Sequence, residues 1–260
     1  MTGSALRIAF LHVAPIPGAL VQNRRLVFTA TLKAADLGAH WIITPELVVS
    51  GYSFADSLGI KWIEPQPDRW MSQVCQLARR RRLTIFLSHP ERDPGSERLY
   101  NSLFAIAPDG RLAGSHRKIN TLRVGSEAWS TPGTQATAFQ LKPFGTVGLL
   151  ICADAYSPGI ADSLKTQGAK VLVSSAAWGP GLHGPNGEWE RCSRATGLPL
   201  LVCNRTGIDR TLRFTAAESL VVHHGQRLCA FTSERSAMFL ITWDLETQTC
   251  RTAEHQRINL

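Results

Sequence analysis

Short apolar runs that alternate with segments of helical periodicity restrict the fold of this chain more than any other feature. Residues 6–13, 41–44, 83–88, 146–151, 171–174, 200–203 and 239–243 read as strands, and residues 23–37, 68–81, 158–168 and 188–196 as helices. Gly38 is a helix stop, and Pro158 suits the first turn of a helix. The run at 146–151 is almost wholly apolar, as expected of a strand covered on both faces. Pro108-Asp109-Gly110 marks a hairpin between strands at 100–107 and 111–117, and His224-Gly225 marks another turn. Strands alternating with helices, with hairpins inserted, predict a mixed-sheet α/β domain covered by helices. The pattern leaves open whether the strands form one sheet or two stacked ones. With no linker, repeat or low-complexity stretch in 260 residues, a single domain over 1–260 is expected.

Composition narrows the function classes. No apolar stretch approaches the ~20 residues that cross a bilayer. The opening MTGSALRIAFLHV runs into a strand and then Pro15 and Pro17, unlike a signal peptide, so a soluble cytoplasmic protein without membrane partners is expected. The net charge of +8 is sharpest at Arg79-Arg80-Arg81-Arg82. No aromatics interleave with that run, and arginines ending a helix complement its dipole, so nucleic acid is not the expected partner. The six cysteines (Cys75, Cys152, Cys192, Cys203, Cys229, Cys250) form no CxxC pair, which predicts reduced thiols with neither a disulfide framework nor a metal site.

Cys152 stands apart because it ends the buried strand at 146–151 just before a helix opening at Pro158. A thiol near a helix N-terminus is expected to be drawn toward thiolate, and a thiolate is a nucleophile when a base takes its proton. Glu46 ends the strand at 41–44, where partial desolvation would raise its proton affinity toward that of a general base. Lys118 ends the hairpin strand at 111–117 and would supply fixed positive charge for an oxyanion. Carboxylate, ammonium and thiol are together the parts needed to attack a carbon–nitrogen bond.

The segments TPELVVSGY, HRKINTLRVGSEAWSTPG and LLICADAYSP resemble, in order, the three signature blocks of the nitrilase superfamily, the carbon–nitrogen hydrolases. The likeness extends through GAHWIITPE, Ser174-Ser175-Ala176-Ala177-Trp178, LLVCNRTG and Leu212-Arg213-Phe214-Thr215, and so covers nearly the whole chain. The resemblance implies a four-layer αββα sandwich, pairing into homodimers, and no metal or organic cofactor. It also implies Glu46 as general base, Lys118 as oxyanion-stabilising cation, Cys152 as nucleophile, and Glu127 as a second glutamate that positions substrate and Lys118. The Ala153 backbone N–H would join the oxyanion site, with Tyr52 and Trp178 against the substrate.

Ala153-Asp154 after the nucleophile resembles the amidase branches, since nitrile-cleaving members generally carry Trp-Glu there. The expected substrate is therefore a small amide or N-carbamoyl compound cleaved through a thioester. The alternatives are a nitrilase and a non-catalytic binding protein on the same fold. N-carbamoyl amino-acid hydrolases commonly place an arginine just after the nucleophile, and the stretch 156–163 has none. Arg123 and Arg191 are the candidate carboxylate anchors in its stead. A glutamate usual in the helix at 188–196 is missing, with Ala195 near its place, and the Gly/Pro-rich loop at 179–187, with His183, is expected to border the site entrance.

Overall fold

The computed structural model describes residues 5–122 and 124–260, without the side chain of Thr252. The layers follow from the alternation within single strands. In β1 (Ala5–His12), Ile8 and Phe10 point into one apolar core, whereas Ala9 and Leu11 point into a second. The second core is completed by Val27, Ala30 and Ala34 of α1 (Leu20–Asp36) and by Met71, Val74 and Ala78 of α3 (Arg69–Arg81). Side chains of period two thus face a neighbouring sheet on one side and helices of period 3.6 on the other.

The first sheet also takes β2 (Trp41–Ile43), β3 (Thr84–Arg92), β4 (Leu99–Ile106) and β5 (Leu112–Arg117), after the single helical turn α2 (Ala55–Leu58). The second half adds β6 (Phe139–Leu141), β7 (Gly145–Ile151), α4 (Pro158–Thr166), β8 (Val171–Ala176), α5 (Glu188–Thr196) and β9 (Leu200–Asn204). A small hairpin follows, β10 (Ile208–Asp209) with β11 (Leu212–Arg213), and then the hairpin β12 (Ser219–His223) and β13 (Gln226–Phe231). The chain returns through β14 (Ala237–Asp244), β15 (Thr249–Cys250) and β16 (Gln256–Asn259).

One sheet runs β15-β14-β1-β2-β3-β4-β5, with β16 also on β14, and the other runs β13-β12-β9-β8-β7-β6. In each sheet the central strands, β1–β2–β3 and β7–β8–β9, are parallel and the flanking pairs antiparallel. Leu164 of α4 packs on the outer face of the second sheet beside Leu172, which completes the αββα order. Between the sheets, the Trp41 ring packs at 4.9 Å from Phe86 and 5.1 Å from Phe144. Trp41 and Phe86 are fully buried, and each removes enough apolar surface to stabilise the stack by about 1.5–3 kcal/mol.

The main strands and helices lie where hydrophobic periodicity places them, within a few residues. The short strands β6, β10, β11, β15 and β16 escape it because most of their residues are partly or fully exposed and none carries an apolar run. Arg79, Arg80 and Arg81 do fall in the last turn of α3, and Arg82 caps it with φ 55°.

One close approach prepares the site. Gly133 N–H donates to the Lys118 carbonyl at 2.7 Å, and a Cβ on Gly133 would lie 2.2 Å from the Arg117 carbonyl oxygen. That contact is with backbone, so relief requires moving the strand that carries Lys118. Gly133→Ala is therefore expected to destabilise the protein by about 1–3 kcal/mol or more, read as a lowered urea midpoint with an unchanged m-value.

Candidate active site

Four strand ends converge at the rim where the two sheets meet: the C-terminal ends of β2, β5, β7 and β8 deliver Glu46, Lys118, Cys152 and Ala177-Trp178. In open parallel sheets, ligands gather where the strands' carboxyl ends point. Glu46 is held by backbone as well as side chain. Its N–H donates to the Ala176 carbonyl at 3.2 Å, and the next residue, Leu47, has φ 50° and donates to Ser88 Oγ at 2.9 Å. Thr44, one turn earlier, receives Ser175 Oγ on its carbonyl at 2.7 Å, tying one sheet to the other beneath the carboxylate.

Lys118 is fully buried between two fully buried carboxylates. Its Nζ donates to Glu46 Oε1 at 2.7 Å and to both Glu127 oxygens at 2.8 Å. Asn101 Nδ2, from β4, donates to the same Glu46 Oε1 at 2.7 Å and to Glu127 Oε1 at 2.8 Å. The second Glu46 oxygen accepts from the Ala177 N–H at 2.9 Å. Asn101 is the residue that sequence reading missed. It lies inside an apolar-looking strand next to Tyr100, and no chemistry-bearing neighbour marks it.

Burial pushes the Glu46 carboxyl upward; Lys118 opposes this and the Glu127 charge adds to it. Burial alone would lower the Lys118 ammonium, but the Glu46 and Glu127 carboxylates overcome it and hold the proton well above the ordinary lysine range. The Cys152 thiol is pushed well up by burial, then by the Glu46 charge, with Lys118 acting against both. This corrects the expected drift toward thiolate. Cys152 opens a five-residue 3-10 turn (Cys152–Tyr156), and α4 begins only at Pro158, so no long helix dipole reaches the sulfur. Burial thus favours the thiol over the thiolate.

Cys152 itself has φ 47°, a left-handed conformation that costs a non-glycine residue about 1–2 kcal/mol. Asp154 holds that turn in place. Its Oδ2 accepts from the Ile151 N–H at 2.9 Å and pairs with His116 Nε2 at 2.7 Å. Its Oδ1 accepts from the Ile119 and Asn120 N–H groups at 3.0 and 2.9 Å. Asn120 Nδ2 returns to the Ala153 carbonyl at 3.0 Å. The segment bearing the lysine and the turn bearing the thiol are thus laced together on either side of both functional atoms.

Above them lies a cavity of about 920 Å³ lined by Tyr52, Lys118, Cys152, Ala153, Trp178 and Phe214, with the 179–184 segment along one side. Trp178 is buried, clamped by mutual hydrogen bonds with Asn204, and its Nε1 donates to the His183 carbonyl at 2.7 Å. Tyr52 is fixed from behind, since its N–H donates to Asp209 Oδ2 at 2.9 Å, and Asp209 pairs with the fully buried Arg205. Arg205 also lies 4.6 Å above the Phe214 ring, so one buried cation steadies two cavity walls.

The expected catalytic and substrate-facing residues thus gather at one cleft: Glu46 and Glu127 beneath its floor, Lys118, Cys152 and Ala153 on the floor, Tyr52 and Trp178 on the walls. Arg191 does not. It is bound to Glu188 at 2.6 Å and to the Asn186 carbonyl at 2.7 Å, away from the cavity lining. Arg123 lies outside the described residues. Ala195 is exposed, so the missing glutamate touches no part of the cavity. Arg213, which sequence reading noted only within the family-like segment 212–215, is exposed at the cavity margin. Among the described residues, it and Lys118 are the lysines and arginines lining the cavity.

Asp154→Asn should lower stability at neutral pH by about 1–3 kcal/mol, as an amide cannot serve all these donors. Burial raises the Asp154 carboxyl, but the bond and charge of His116 and the backbone N–H groups outweigh it and hold it below its ordinary 3.8. That stabilisation is complete above the unfolded value and lost as pH falls through the folded one. The gap between wild type and variant in urea titrations should therefore close below about pH 4.

The family model described as carbon-nitrogen hydrolase matches residues 7–254. A probable nitrilase of Schizosaccharomyces pombe is 26% identical over 212 residues, 79% of this chain and 75% of the relative. A citrullinase of Francisella tularensis is 25% identical over 242 residues, covering 86% and 84%. An omega-amidase of Danio rerio is 26% identical over 255 residues, covering 92% and 88%. The crystal structure of an amidase from Nesterenkonia sp. superposes with a TM-score of 0.79 at 23% identity, over 98% of this chain and 96% of that one, a likeness of fold.

Proposed function

The chain belongs to the carbon–nitrogen hydrolase family, and on that premise we propose that Cys152 attacks the carbonyl carbon of a small amide or N-carbamoyl compound. The observation that carries this reading is the Lys118 ammonium bonded to both Glu46 and Glu127 directly beneath a cavity that exposes the Cys152 thiol. Glu46 takes the thiol proton as the C–S bond forms, and Lys118 with the Ala153 N–H stabilises the oxyanion. The carboxylic acid then gives its proton to the leaving nitrogen, the C–N bond breaks, and a thioester remains. Water deprotonated by Glu46 hydrolyses it to the acid and free thiol. Glu127 and Asn101 hold Lys118 and Glu46 in place throughout.

The omega-amidase and citrullinase names among the relatives support an amide or carbamoyl substrate, as does the Cys-Ala-Asp sequence. The probable nitrilase keeps nitrile hydrolysis as the second reading. A carboxylate-bearing substrate would find Arg213 at the cavity margin. The same reading makes the whole chain one catalytic unit, homodimeric and cytoplasmic.

Ammonia release from matched amides and nitriles should favour the amides, and Cys152→Ala should abolish turnover. Mass spectrometry of quenched reactions should find an acyl adduct on Cys152. A nitrile preference, or turnover surviving the substitution, would overturn the reading. Arg213→Ala should raise KM for anionic amides by about tenfold and leave neutral amides unchanged, as expected for loss of one charge-assisted bond.

The acid limb of kcat/KM reports the base in the free enzyme. Activity needs ionised Glu46, so it falls as pH drops through the raised Glu46 value. Glu127 raises that value and the Asn101 bond lowers it. Glu127→Gln should therefore move the acid limb to lower pH, and Asn101→Ala to higher pH, each with a loss in kcat of about 10²-fold or more.

A further inference from the structure

Cys229 on β13 and Cys250 on β15 belong to different sheets, yet their sulfurs lie 3.8 Å apart. One ring nitrogen of His255 joins them, and the three ligand atoms all lie within 4.8 Å of one another. Both cysteines are free thiols, Cys250 buried and Cys229 half-buried. His255 Nε2 is buried without a hydrogen-bond partner, and the ring stands edge-on to Phe231 at 5.5 Å. The register of β12 against β13 shifts between Val221, the partner of Cys229, and Val222. Such a bulge re-aims the neighbouring side chain. None of the three residues lines the cavity above Cys152.

We propose that Cys229, Cys250 and His255 form a binding site for a thiophilic divalent cation of the zinc class. Two thiolates on a tetrahedral zinc, with Zn–S bonds of about 2.3 Å, stand about 3.8 Å apart, the spacing these sulfurs already have. A disulfide would require them to close to about 2.05 Å and would need an oxidant. Zinc needs only the displacement of two thiol protons, leaving two Zn–S bonds, one Zn–N bond and a fourth position for water. The half-exposed Cys229 gives the ion its entry. The bound ion would clip the C-terminal segment of one sheet to the β12–β13 hairpin of the other, and so stabilise the stack in proportion to its occupancy. This site stands independently of the amide reading, since it involves no residue of the catalytic cleft.

The test loads cobalt(II), then zinc in competition with a chromophoric chelator, into the reduced, metal-stripped full-length protein. One cobalt per chain with a thiolate-to-cobalt charge-transfer band is expected. The band should vanish in Cys229→Ser and Cys250→Ser and persist in Cys152→Ala. His255→Ala, which keeps both thiols, should bind at least tenfold more weakly, and zinc should raise the melting temperature of wild type but not of Cys229→Ser. The proposal fails if reduced wild type gives no thiolate band, or if the band survives loss of both cysteines. It also fails if the cysteines are found as a disulfide that, once reduced, ignores cobalt.

Discussion

A single ammonium group, Lys118, sits buried between two buried carboxylates, and the rest of the site is arranged so that this is tolerable. With both carboxyls ionised the trio would carry one net negative charge in a medium where an isolated charge costs several kcal/mol. Neutral donors distribute that excess: Asn101 serves both glutamates, the Ala177 N–H serves Glu46, and the Leu122 N–H reaches Glu127 Oε2 at 3.3 Å. Removing Lys118 would leave two buried carboxylates uncompensated, which is far costlier than the pairs are stabilising. The cluster is thus a constraint on geometry more than a source of stability.

The stacked sheets supply what that constraint demands. The central parallel strands β2, β7 and β8, and the edge strand β5, point their carboxyl ends to one rim, so residues 46, 118, 152 and 177 meet without a long loop. Backbone groups near the rim are then used as ligands for side chains, as with Ala177 N–H on Glu46 and Ile119 and Asn120 N–H on Asp154. Left-handed residues at Leu47 and Cys152 turn the chain sharply where each functional group must face the cleft. Their strain persists because hydrogen bonds on either side fix the turns.

Much of this was legible before any coordinates. Hydrophobic period gave the strands that carry Glu46, Lys118 and Cys152, and the likeness of three blocks gave the residues themselves. What stayed hidden is made by contacts between residues far apart in sequence: Asn101 bridging Glu46 and Glu127, His116 with Asp154, and Arg205 with Asp209 and Phe214. A buried arginine or asparagine in a strand end reads like any polar residue until its partner is known. The meeting of Cys229 with Cys250 across two sheets is hidden for the same reason. The thiolate expectation failed because proximity to a helix start was weighed without the burial that opposes ionisation.

That failure bears on how the chemistry is organised. A stable Cys152 thiolate beside two carboxylates would place a further negative charge in the same buried cluster. Keeping the thiol protonated avoids it, and the proposed transfer of the proton to Glu46 would move charge without adding any: thiol with carboxylate becomes thiolate with carboxylic acid, and the net charge of the cluster stays fixed. On the proposed mechanism, the negative charge that then develops on substrate oxygen would face Lys118, whose proton is held firmly by two carboxylates. Glu127 serves both steps, since it anchors Lys118 and raises the proton affinity of Glu46. The same desolvation raises both proton affinities, so Glu46 becomes a stronger base where the Cys152 thiol becomes harder to ionise.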